Sequence, residues 1–102
     1  MIDPFENDEL FLDWCDEHHD DGFFVGYAPG YPPKIPHTRE QVPRMHRARC
    51  KLGANRDVPE KKWTTGSGGP YDKAGSTDRQ ELIARFEPAH LEYCKICKPR
   101  TD

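Results

Sequence analysis

The segment of this chain best equipped for chemistry is Cys94-Lys95-Ile96-Cys97. Two thiolates at this spacing can grip one metal ion, because a tight turn brings both sulfurs within the ~2.3 Å of a zinc–sulfur bond. A closed structural site needs two further ligands. His46 and Cys50 offer an H-x3-C pair, and Cys15 and His18 a C-x2-H pair. His90 precedes Cys94 by one helical turn and offers a local nitrogen. The favoured combination is a Cys3His zinc site from Cys50, Cys94, Cys97 and one histidine, His46 or His90. A four-cysteine site that adds Cys15 comes next. Either would tie together segments far apart in sequence. Two disulfides remain open, since four cysteines allow three pairings, and a four-cysteine iron–sulfur site is a further option.

Other arrangements carry less. A redox role for the C-x2-C pair expects it to open a helix after a buried strand, whereas here a helical segment precedes it. His18-His19 among Asp16, Glu17, Asp20 and Asp21 reads as a solvated helix end rather than a carboxylate–histidine site. Gly66 to Gly69 lacks the Lys-Ser/Thr ending of a phosphate loop and reads as a flexible linker. Ser67 and Ser76 sit in glycine-rich stretches with no nucleophile-elbow context. No nucleophile, base and oxyanion donor come together in the sequence, so a non-enzymatic protein is expected.

The elements that must position these residues are short. Residues 1–22 read as an acidic helix: Asp3 as N-cap, Pro4 in the first turn, Glu6 at capping-box spacing. Leu10, Phe11, Trp14, Cys15 and His18 form its apolar stripe and Gly22 follows its end. Residues 23–42 read as an extended, proline-rich segment, with Phe23 to Tyr27 able to form a strand. Residues 43–53 read as a basic helix between Pro43 and Gly53, carrying His46 and Cys50 on one side. Residues 54–76 read as a glycine-rich loop. Residues 77–102 form a helical segment with Leu82, Ile83 and Phe86 as its apolar face, ending in the C-x2-C pair. The fold class expected is therefore a small, mostly α domain of about three short helices with long irregular or extended Pro-Gly-rich segments, stapled by a metal site.

Composition explains the need for a staple. Of 102 residues only 34% are apolar and 32% are charged, with ten prolines and eight glycines. A chain this size has one domain, and its apolar burial barely offsets a backbone entropy of roughly 1–2 kcal/mol per residue. Small domains in that position add a metal, disulfides or a partner surface. Eleven aromatics argue against a disordered tail.

The net charge of −3 hides an asymmetry: residues 1–22 hold nine carboxylates and no Lys or Arg, and the remainder carries a net +6. The two parts can attract each other, or each can meet a different partner. Arg44, Arg47, Arg49 and Lys51, followed by Arg56, Lys61 and Lys62, could meet phosphates, with Trp63 near enough to stack on a base. No apolar run is long enough to span a membrane, and the acidic N-terminal segment lacks the basic region of a signal peptide. A soluble intracellular protein follows, with an organelle also open to it. The functional expectation is an accessory or structural subunit of a larger protein complex, stabilised by zinc and docking through the extended segment. The alternative is a small phage- or mobile-element-type regulatory module acting on nucleic acid or on a nucleic-acid-binding protein.

Overall fold

In Phe23–Tyr27, Phe24 points one way while Val25 and Tyr27 are buried on the other side, which makes this stretch the central strand, β1, of a sheet buried on both faces. A computed structural model describes residues 1–29, 42–86 and 91–100. Within these, helix α1 (Asp8–Glu17) is followed by β1, β2 (Arg44–Arg47), a 3-10 turn (Thr65–Ser67), β3 (Asp72–Ser76), helix α2 (Arg79–Phe86) and β4 (Glu92–Tyr93). The sheet order is β3-β1-β2-β4. β1 is antiparallel to both neighbours, pairing Phe24 with His46 and with Gly75, whereas β2 and β4 run parallel.

Each helix covers one face. Phe11 and Cys15 of α1 join Phe5, Phe24, Ala48, Ala54 and Trp63 in one core. Leu82 and Phe86 of α2 join Val25, Tyr27, Met45 and Ala74 in the other. The protein is thus an α/β fold with a mixed four-stranded sheet, not the mostly α domain expected from sequence.

The largest correction concerns residues 43–53, read as a basic helix. They form β2 and a succession of turns, because Met45 is wholly buried beneath α2 and the backbone is held by β1 and β4. The Arg-Met-His-Arg alternation is a strand period, and over so short a run it competes evenly with a helical one. Arg44 and Arg47 therefore lie on opposite faces of the sheet, so the expected basic helix face does not exist. β3 lies where a loop was expected. Its sequence, Asp-Lys-Ala-Gly-Ser, has no β propensity, and it is a strand because small residues are needed there. A side chain at Gly75 would come within 2.8 Å of the Phe5 ring and 3.1 Å of Trp14.

Helix α1 begins later than expected, with Asn7 as N-cap accepting from the Leu10 N–H at 2.9 Å. Asp3 instead accepts from the Tyr27 hydroxyl and, at 3.3 Å, from Arg85 Nε. The glycine-rich stretch is no linker: Gly66 packs directly beneath the Glu6 carbonyl, Gly68 takes φ +95°, and Ser67 Oγ accepts the Asp8 N–H at 2.8 Å. The Asp8 carboxylate in turn accepts from the Trp63 and Thr64 N–H groups and from Thr64 Oγ1. The acidic and basic parts do meet, through Arg56, whose guanidinium bonds Asp13 and Asp16 at 2.8 Å each. Most of the proline-rich segment, residues 30–41, lies outside the described residues. No helix is long and apolar enough to cross a membrane among those described.

Candidate metal centre

Two adjacent parallel strands deliver the four ligands. His46 is the third residue of β2, and the turn after it returns Cys50, whose N–H bonds the Arg47 carbonyl at 2.9 Å. Cys94 follows β4 directly, its N–H bonding the Met45 carbonyl at 2.9 Å, and the turn it opens closes with the Lys98 N–H on the Cys94 carbonyl at 3.1 Å. Lys98 takes a positive φ of 49° there. In consequence the ligand atoms of His46, Cys50, Cys94 and Cys97 all lie within 4.8 Å of one another. Cys50 and Cys94 sulfurs are 4.0 Å apart. Tetrahedral thiolates at zinc–sulfur distance are separated by about 3.8 Å, so a metal ion fits with little movement. All four cysteines are free thiols.

The histidine is held in an orientation that suits a ligand. Its ring stacks on Phe24 at 5.2 Å and 20°, and Phe24 is itself locked edge-on to Phe11 at 5.0 Å and 84°. Gly53 completes the wall: a side chain there would come within 2.6 Å of Phe24 and 3.1 Å of His46 Cδ2. Burial, with Lys73 and Arg44 nearby, pushes His46 down to about 4, so the imidazole is neutral and free to donate a lone pair. Among the described residues, the buried side-chain nitrogen or oxygen left without a hydrogen-bond partner is His46 Nδ1. A buried polar atom so orphaned calls for an explanation, and a metal ion at this cluster would supply it.

The sulfurs are similarly prepared. Burial opposes a charge on Cys94, but the N–H groups of Cys97 and Ile96 point at its sulfur and bring its pKa below the ordinary thiol value. Cys97 is pushed up to about 12 by burial and by the neighbouring Cys50, against the Arg47 N–H that bonds its sulfur at 3.2 Å. One thiol is thus shifted toward its charged form and another toward its neutral form. A bound cation would remove that conflict by deprotonating both. Arg47 also reaches round the turn, with Nε on the Cys97 carbonyl at 2.9 Å and its second arm on the Lys98 carbonyl at 3.2 Å.

Of the other candidates, Cys15 lies elsewhere, in the core beneath α1, where burial pushes it up to about 12. His90 lies outside the described residues. Among the basic residues weighed as phosphate contacts, Arg44 pairs with Glu92 at 2.8 Å, Arg47 serves the cysteine turn, and Lys51 lies 3.7 Å from Asp57. The residue that sequence reasoning passed over is Lys73 of β3, which projects onto the same side of the sheet as His46. Its period-two position in β3 was invisible while that stretch read as loop. No family model matches the chain, and comparisons with curated proteins and with solved structures find no match.

Proposed function

We propose that this chain is a non-enzymatic accessory module whose fold is closed by one structural zinc ion held by His46, Cys50, Cys94 and Cys97. The observation that carries the reading is the convergence of four soft or borderline ligands, one pair from each of two parallel strands and the turn that follows it. Three sulfurs and one imidazole select zinc over hard cations. Four protein ligands fill a tetrahedron and leave no open position for a reacting water, which separates structural zinc from catalytic zinc. A docking role draws support from the ligand turns themselves. Leu52 follows Cys50 and is 61% exposed, and Ile96 stands between Cys94 and Cys97 and is 74% exposed. A metal-rigidified turn presenting an apolar side chain is an inexpensive anchor for a larger partner.

Elemental analysis of chain purified without chelator, with a thiol count before and after chelation, tests the centre. About one zinc per chain is expected, with three thiols protected until a chelator releases them. Cys97→Ser should lose the metal and melt the β2–β4 seam. A fully folded chain that carries no metal, and whose thiol count a chelator does not change, would overturn the assignment.

A further inference from the structure

On the α1 side of the sheet, beside the metal ligands, lies a cavity of about 500 Å3. Its floor is the sheet, with Gly26, Arg44, His46 and Lys73, and its wall is the loop carrying Lys61, Lys62, Trp63 and Tyr71. No carboxylate lines it among the described residues. Arg44 is already paired with Glu92 across the strand. Among the described residues Lys73 has no such partner. The residue is only 8% exposed, although its Nζ is not sealed from solvent, and no hydrogen bond or ion pair reaches that ammonium among the described residues. Its contacts are with aromatic rings, Phe11, Phe24 and Tyr71, each with its centroid 5.8–5.9 Å away. Gly26 makes this placement possible, since a side chain there would come within 2.8 Å of Lys73 Nζ.

A cation on so largely buried a side chain, with no direct ion-pair partner, is unfavourable and is normally paired or neutralised. Here the ammonium forms part of the lining of a half-open cavity with further lysines beside it, an arrangement that concentrates positive potential there. The volume falls within the roughly 300–1,000 Å3 of small-molecule sites and far exceeds what a bare inorganic anion needs. Tyr71, 37% exposed, offers a ring for a flat ligand body, and Lys61 lies 4.5 Å over the Trp63 ring in the same wall. We infer that this cavity is a binding site for a small aromatic phosphate of the mononucleotide class, its phosphate on Lys73 with Lys61 and Lys62, its ring along Tyr71.

Calorimetric titration of the full, metal-loaded chain with the four mononucleoside monophosphates, adenosine and inorganic phosphate tests this. At least one mononucleotide should bind more tightly than inorganic phosphate, and adenosine should give no measurable heat. Lys73→Met should weaken the mononucleotide about 10- to 100-fold, the loss of a charge-assisted contact, with metal content unchanged. Tyr71→Ala should weaken the mononucleotide while leaving inorganic phosphate alone. Absence of mononucleotide binding at millimolar concentration would overturn the inference, as would undiminished binding by a folded, metal-replete Lys73→Met chain. Binding of single-stranded oligonucleotides alone, with a steep salt dependence, would also overturn it and mark an extended nucleic-acid surface instead.

Discussion

Replacing Lys73 by methionine should make the ligand-free protein more stable. Burial, reinforced by Lys61 and only partly relieved by Cys15 and Asp8, brings the Lys73 ammonium from 10.5 down to about 8. At about 1.36 kcal/mol per pH unit, keeping it charged in the folded state at pH 7 costs about 3 kcal/mol. The contacts with three aromatic rings return about 1 kcal/mol of that. Methionine retains the packed methylenes, so Lys73→Met should gain about 2 kcal/mol, or about 10 °C in Tm. The sign of the pH dependence follows from the lowered pKa. Below pH 8 both folded and unfolded chains carry the proton and the full penalty applies. Between pH 8 and 10.5 the folded chain holds fewer protons than the unfolded one, so stability of the parent rises with pH through that window. The advantage of the methionine variant should therefore shrink to under about 1 kcal/mol at pH 10. Urea unfolding of both chains at pH 7 and pH 10, metal-loaded, measures the difference, and groups common to both chains cancel. A variant less stable than the parent at pH 7, or a gain that does not narrow by pH 10, would refute the reasoning. A residue that destabilises its own fold and faces a cavity is the expected mark of a site kept for binding.

Three further outcomes follow from the centre and its supports. Arg47→Ala should lower metal affinity about 10- to 100-fold, measured by competition with a chromophoric chelator, because the cysteine turn loses both carbonyl contacts. Gly53→Ala should destabilise by about 1–3 kcal/mol in thermal unfolding and loosen the metal as well, since the new methyl can be accommodated only by moving Phe24 or His46. Asp8→Ala should cost about 2–3 kcal/mol in urea unfolding, leaving the fully buried Thr64 without partners for its N–H and hydroxyl.

How much of this was legible in the residues depends on the range of the interaction. His46, Cys50, Cys94 and Cys97 could be singled out because H-x3-C and C-x2-C are local spacings set by one turn each. That the two pairs meet depends on β2 lying parallel to β4, a pairing across almost half the chain that no short pattern encodes. The reading of 43–53 as helix failed where Pro43, Gly53 and a His–Cys separation of four suit a helix and a strand-plus-turn equally well. The strand at Asp72–Ser76 failed for another reason: its residues are small because Phe5 and Trp14 press on it, and that demand comes from elsewhere in the molecule. The same blindness hid Lys73, whose direction is fixed only once β3 is recognised as a strand. Phe23–Tyr27, with its run of large apolar residues, was readable as a strand because the central strand of a doubly covered sheet is apolar on both sides.

The brevity of β4 has a consequence for behaviour in solution. One margin of the sheet is guarded by the N-terminal segment, where Ile2 exchanges two backbone hydrogen bonds with Gly75. The other is guarded by a strand of only two residues, Glu92 and Tyr93, whose hold on β2 depends on the cysteine turn that follows it. Short edge strands discourage chains from zipping together. Were the turn to open, β2 would present unpaired backbone groups beside the buried Met45, a template for strand addition by a neighbouring molecule. Thiol oxidation, or chelation of an ion held there, would then produce self-association before general unfolding, and an ion bound at the turn would double as the lock against aggregation.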